Sequence, residues 1–394
     1  MIKNSVFFLF IIFSFYSCSI KNEKNGDVFI NTSIDNNFTL KLVDTVVITL
    51  DKKTSYNGAF KLESINDIEY LGILKKESNI YSYYNIADGI LDKSINFDRV
   101  GPNGVGQVRY VSTHNWDSIF LIQYHTNKLF LLNSNSDIIN KWVVDNTVTG
   151  EIIYNISANF AFNLHYMDNV LSFWNISNSK AFTKSFWDTY NGISINIETN
   201  TIQNRTGKYP SIYKNGVCYG NFNINPYRIV TRNNQQVFGF SLDNRLFIYN
   251  DTSLIKISSV ISPHIKVDAP KPQKKLTGYN NNEDWMYEIQ RGSYRWMVYD
   301  KYDNIIYRVV MHTMNPYDVD GNRNNVQDKP FSIQIIDSTF SLVGEVEFPA
   351  KRFEPGNMFA TKNGLLISLC HNDNPILEED KLKLALFKLV KINE

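Results

Sequence analysis

A short unit recurs along the chain: a turn-forming Asn or Asp, one variable residue, then consecutive apolar residues. It stands as Asp117-Ser-Ile-Phe-Leu, Asn127-Lys-Leu-Phe-Leu, Asn169-Val-Leu-Ser-Phe, Asn244-Arg-Leu-Phe-Ile, Asn304-Ile-Ile-Tyr-Arg and Asn363-Gly-Leu-Leu-Ile. Asn and Asp tolerate left-handed backbone and cap turns with their own side chains, so each unit reads as a hairpin turn that launches a strand. The apolar run is the constraint. A strand with one wet face alternates apolar and polar residues, whereas an unbroken apolar run demands cover on both faces of its sheet. Almost no segment shows apolar residues at helical spacing over a useful length. The fold class is therefore all-β, and a β-propeller, in which each blade is sandwiched between neighbours, satisfies the constraint best. A pair of separate β-sandwiches is the main competitor.

The chain ends support a closed ring. In Asp380-Lys-Leu-Lys-Leu-Ala-Leu-Phe-Lys-Leu-Val-Lys-Ile392, Leu382, Leu384 and Leu386 alternate with Lys381, Lys383 and Ala385, which is the period of a strand rather than a helix. Its expected companion is residues 38–51, FTLKLVDTVVITLD, so that the two termini complete one blade and leave only short protected edges. Residues 38–394 suit six blades with long connecting loops better than seven, since compact propeller repeats take ~40 to 50 residues.

The N-terminus is a different kind of text. Lys3 precedes an apolar and hydroxyl run, Ser5 to Tyr16, too short to cross a hydrocarbon layer that needs about 20 helical residues. It reads as a signal-peptide core over residues 1–17, and the small residue Ser17 followed by Cys18 resembles a lipobox, despite Phe15 and Tyr16 where Leu and a small residue are usual. Cys18 is then the lipidated first residue, residues 18–37 are a polar flexible tether, and the location is the bacterial cell envelope. Forty basic and 39 acidic side chains leave a net charge of +1, which offers no electrostatic footprint for nucleic acid. Cys218 and Cys370 remain as two thiols that a closed ring could pair but does not require.

The lipobox-like Cys18, the Gly101-Pro-Asn-Gly-Val-Gly106 turn followed by Asp117-Ser-Ile-Phe-Leu, the stretch from Val298 to Arg308 and Phe359-Ala-Thr-Lys-Asn-Gly-Leu-Leu-Ile367 together resemble a family of exported Bacteroidetes lipoproteins of unknown function with a six-bladed propeller-like fold. The resemblance implies fold, anchoring and envelope location over the whole mature chain. It implies no catalytic residue.

Candidate sites are few. Gly101 and Gly106 have the glycine spacing of a phosphate loop, but Gln107 and Val108 stand where Lys and a hydroxyl are needed, so the segment reads as a tight inter-blade turn. Gly216-Val-Cys-Tyr-Gly220 has nucleophile-elbow spacing, yet Pro226 and an absence of helical pattern follow, which favours a structural Cys218. Asp318-Val-Asp-Gly-Asn-Arg-Asn324 alternates oxygen ligands without the glycine and terminal Glu of a calcium loop. The histidines show no zinc spacing, so no metal or cofactor is expected. The segment Ser262–Lys275, rich in Pro and Lys, reads as an exposed loop.

The densest polar and aromatic cluster runs from Asn282 to Trp296. Trp285, Tyr294 and Trp296 are candidates for stacking on a ligand, Arg291 and Arg295 for an acidic group, and Glu288 for a hydrogen bond. The structural alternative is a blade with aromatic faces against its neighbours and charges at its rim. The function expected is an envelope-anchored binding or scaffolding propeller for a protein or glycan. The alternative is a glycan-active hydrolase or lyase that uses carboxylates near Trp285, Glu283, Asp284 or Glu288 among them.

Overall fold

The computed structural model describes residues 37–51, 59–144, 155–159, 161–176, 183–214, 224–265 and 281–392. The leader, Cys18, the tether, Cys218 and the stretch 266–275 of the Pro- and Lys-rich segment lie outside the described residues. Within them the strands form six antiparallel sheets arranged as blades of a propeller.

The chain opens with β1 (Phe38–Thr49). The first blade follows as β2 (Ala59–Ile65), β3 (Ile68–Lys75), β4 (Ile80–Asn85) and β5 (Leu91–Asn96), and the second as β6 (Val108–Asn115), β7 (Ser118–Gln123), β8 (Lys128–Leu132) and β9 (Ile138–Val143). The third holds β10 (Asn155–Ser157) and β11 (His165–Met167), both paired with β12 (Val170–Ile176), then β13 (Tyr190–Asn196) and β14 (Thr201–Lys208). The fourth is β15 (Pro226–Val230), β16 (Gln236–Phe240), β17 (Asp243–Asn250) and β18 (Ser253–Ser259); the fifth is β19 (Ser293–Asp300), β20 (Ile305–Met311), β21 (Phe331–Ile336) and β22 (Leu342–Phe348). The sixth joins β23 (Glu354–Thr361), β24 (Gly364–Ser368) and β25 (Lys381–Lys391) to β1 in the order β1-β25-β24-β23. The expected closure is present, with β1 and β25 in antiparallel register from Phe38↔Lys391 to Thr49↔Lys381.

The apolar runs are covered on both faces. On β7, Ile119 and Leu121 join the core between the first and second blades, while Phe120 and Ile122 join the core between the second and third. On β24, Leu365 and Ile367 face the fifth blade and Leu366 faces the first. Six apolar clusters fill the six blade-to-blade contacts, the last of them joining Leu382, Leu384 and Leu386 of β25 to Phe60 and Leu71 of the first blade. The inner strands are thereby covered, while the outer strand β18 leaves Leu254, Ile255 and Ile257 exposed.

The turn residues behave largely as expected. Asn169 and Asn304 sit at φ 61° and 56°, the left-handed region that launches β12 and β20. Asn244 lies inside β17 instead, because the tight turn falls two residues earlier, where Phe240 pairs with Asp243. Gly101 to Gly106 is a turn between β5 and β6, with Gly104 N–H donating to the Gly101 carbonyl at 3.0 Å. Asp318 folds its own loop by accepting from the backbone of Asp320 and Asn322 at 3.0 and 2.7 Å.

One expectation is corrected. The segment read as part of a blade begins with a ten-residue helix, Asn281–Gln290. Glu288 and Ile289 form its buried side, and the charged residue among them breaks the apolar periodicity that would have announced a helix.

The closure carries a testable cost. Leu384→Ala removes a fully buried side chain from the seam of the ring and is expected to lower stability by about 2 to 5 kcal/mol, whereas Lys388→Ala, exposed on the same strand, should change it by less than about 0.5 kcal/mol. Chemical denaturation followed by circular dichroism measures both.

Candidate functional site

The first strands of neighbouring blades stand side by side around the axis, β2 against β6 and β23, and β19 against β15 and β23. Between them lies a cavity of about 250 Å³. Its lining includes the apolar Phe60, Met297, Met358 and Phe359 and the polar Lys61, Asn163, His165 and Arg228. Strand alternation sets where Arg228 points: on β15, Tyr227 and Ile229 turn into the contact with the fifth blade, so Arg228 points the opposite way, toward the third.

Of the three cations in the lining, Lys61, Arg228 and Lys301, the first two differ in how they are answered. Lys61 Nζ lies 2.9 Å from Glu63 Oε2 and donates to Ser112 Oγ at 2.6 Å. Glu63 is itself buried and accepts from Tyr81 Oη at 3.0 Å and Thr113 N–H at 3.1 Å. Burial pushes its carboxyl up, and Lys61 pulls the other way. Arg228 is buried too, but its guanidinium meets only neutral acceptors: Gln236 Oε1 at 3.2 Å and the carbonyls of Asn163 and Ser172 at 2.5 and 3.4 Å. Its Nε has no hydrogen-bond partner, and no carboxylate pairs with it among the described residues. The guanidinium lies 4.3 Å from the Phe162 ring centroid, a cation–π contact. Burial draws Arg228 down to about 9. Its positive field reaches His165, which burial first, then Arg228 and Lys61, pull down to about 4.

The six residues flagged between Trp285 and Trp296 do not share one surface. Trp285 donates from Nε1 to the Asn324 carbonyl at 2.8 Å and is capped by the Arg323 guanidinium at 3.6 Å. Glu288 and Arg295 are both buried and pair at 2.5 Å, with Lys329 donating to the Glu288 carbonyl at 2.7 Å. Arg291 donates to Tyr287 Oη. Tyr294 Oη accepts from Ser262 N–H at 3.1 Å, and its ring stacks under Arg308 at 3.9 Å. Trp296 fills the space between the cores of the fifth blade's two sides. The structure brings Glu288, Arg295 and Tyr294 into blade contacts and places Trp285 on the helix side. The side chains of Glu283 and Asp284 lie outside the described residues, as does any pairing of Cys218 with the buried Cys370.

Sequence reasoning missed the channel. Lys61, Asn163, His165 and Arg228 come from three blades, and no spacing along the chain connects them. One signal was present: Pro226-Tyr-Arg-Ile-Val230 sets a lone cation inside an otherwise apolar strand.

The sequence matches the model of a family described as a domain of unknown function, DUF4221, over residues 36–347. Among solved structures, a DUF4221 family member from Bacteroides vulgatus superposes with a TM-score of 0.78 at 22% identity, covering 91% of this chain and 100% of that one. A protein from Bacteroides fragilis described as exported superposes with a TM-score of 0.54 at 12% identity, covering 92% and 98%. No curated protein matches the chain. These likenesses bear on the fold.

His165 gives the channel an acid-sensitive contribution. The unfolded chain takes up this proton near pH 6.5 and the native state only near 4, so the unfolded state binds more protons in between and stability rises with pH. The contribution is complete above pH 6.5 and is lost as pH falls toward 4. Denaturation at pH 7 and pH 5 should show His165→Asn losing about 1 to 2 kcal/mol less than the parent protein over that step.

Proposed function

The chain belongs to the DUF4221 family, a domain of unknown function, and from that premise we propose that it is a binding protein of the bacterial envelope whose channel receives an anionic group of its ligand. The observation that carries this reading is Arg228: a guanidinium inside the channel wall, answered by an amide oxygen and two carbonyls and, among the described residues, by no carboxylate. Removing a cation from water costs several kcal/mol, and neutral acceptors offset only part of that. A carboxylate entering the cavity supplies the missing counter-charge in a low-dielectric setting, where a charge-assisted hydrogen bond is strongest. Glu63 answers Lys61 alone, and with Arg228 and Lys301 also in the lining the described wall holds a net positive charge. Phe60, Met297, Met358 and Phe359 in the same lining accommodate hydrocarbon. A cavity of about 250 Å³ suits a small acid, or the acidic end of a larger envelope glycan or protein.

Anchoring belongs to the same reading. The short apolar run that ends at Cys18 supports a lipidated N-terminus, and the fold is shared with a protein described as exported. In cells fed a labelled fatty acid, the parent chain is expected to incorporate label and Cys18→Ala to incorporate none.

Titration calorimetry on the soluble chain starting at Ser19 tests the channel. Carboxylates presented as an uronic acid and as an N-acylated amino acid are compared with their amides, which also separates a glycan source from a protein source. The acid is expected to bind and its amide to bind at least about tenfold more weakly, with Arg228→Gln removing the difference, a change of about 1.5 to 3 kcal/mol. Equal binding of acid and amide, or an unchanged preference in Arg228→Gln, contradicts the reading.

A further inference from the structure

A second polar cluster lies where the connection from the fourth blade meets the fifth, apart from the channel residues. His264 follows β18, His312 follows β20 and Glu345 lies on β22, and one ligand atom from each falls within 4.8 Å of the others. We infer that His264, His312 and Glu345 form a binding site for a divalent transition-metal ion of the zinc class. Two imidazoles and one carboxylate are a ligand set that suits zinc and its neighbours better than calcium or magnesium, which take oxygen ligands. The 48 positions between His264 and His312 (312 less 264) hide the set from any motif search, so only the fold assembles it.

The surroundings prepare each ligand. Glu345 Oε1 accepts from Ser262 Oγ at 2.7 Å and Ser332 Oγ at 2.5 Å, and Oε2 accepts from Gln334 at 3.3 Å, which holds the carboxylate in place. Because Ser332 spends its one hydroxyl proton on Glu345, it must accept at its contact with His312 Nε2, 3.0 Å away. That fixes the tautomer with the proton on Nε2 and the lone pair on Nδ1, the kind of outer contact that orients a ligating imidazole. The His264 and His312 rings stack at 4.0 Å and 14°. Lys329 works against a cation here, although its Nζ is directed to the carbonyls of Glu288 and Arg291. Entry is open: the His264 side chain is 26% exposed, and beside it Glu347 Oε1, 3.4 Å from His264 Nε2, puts a further carboxylate on the same face of β22.

The other grouping of this kind serves as an internal control. Asp328, His371 and Asp373 also converge, but both ring nitrogens of His371 are engaged, Nε2 with Asp328 at 3.1 Å and Nδ1 accepting from Asp373 N–H at 3.1 Å.

The test titrates ZnCl2 into the full exported chain after dialysis against a chelator, with Co2+ absorption as a second readout. One equivalent is expected at micromolar affinity or tighter, weakened about tenfold or more by His264→Ala and by Glu345→Gln and unaltered by His371→Asn. His264 is partly exposed, so its truncation should leave the fold intact, and a melting curve of each variant verifies this. Absence of stoichiometric binding overturns the inference, and so does binding that survives His264→Ala in a folded protein.

Discussion

The pairing of β1 with β25 is the interaction on which the rest of the structure depends. Each end strand carries an unpaired edge and a row of apolar side chains, and neither alone can satisfy both. Joined in register from Phe38↔Lys391 to Thr49↔Lys381, they complete the sixth blade. Leu382, Leu384 and Leu386 then close the apolar contact with the first blade, the sixth of six such contacts. An open array of the same sheets would leave two faces of consecutive apolar residues in water. Closure is therefore both the hydrogen-bonding solution and the hydrophobic one.

Closure also creates the channel. Strands at the inner edge of separate blades are brought around one axis, where Lys61 from the first blade and Arg228 from the fourth come to line the same cavity. The ring tolerates a buried guanidinium there because its neighbours offer an amide oxygen and carbonyls, which satisfy donors without neutralising charge. Arg295 and Lys61 have carboxylates opposite, Glu288 and Glu63, whereas Arg228, like the buried Arg308 with its two carbonyl acceptors, is answered by neutral groups. Of the two, Arg228 lines the cavity.

What was legible in the sequence was whatever obeys a local period. The strict alternation at Leu382, Leu384 and Leu386 identified the closing strand, and the unbroken run Ile119-Phe-Leu121 required cover on two sides. The helix at Asn281–Gln290 escaped notice because buried Glu288 sits on its inner side, paired with Arg295, and makes that side look polar. The polar and aromatic residues around Trp285 drew attention by their density, yet density does not say whether such residues face a ligand or one another. Glu288 and Arg295 face one another. The channel and the His264, His312 and Glu345 cluster were not legible, since both are assembled from strands far apart in sequence and depend on distances that no spacing encodes.

An anomalous-difference map from a crystal soaked in bromide tests the central claim most directly. If the ring places an uncompensated cation in its channel, a bromide ion is expected in the cavity within contact distance of the Arg228 guanidinium on the side facing Lys61. A map in which bromide avoids the channel, with an acidic side chain of the same chain seated on Arg228, would contradict the account.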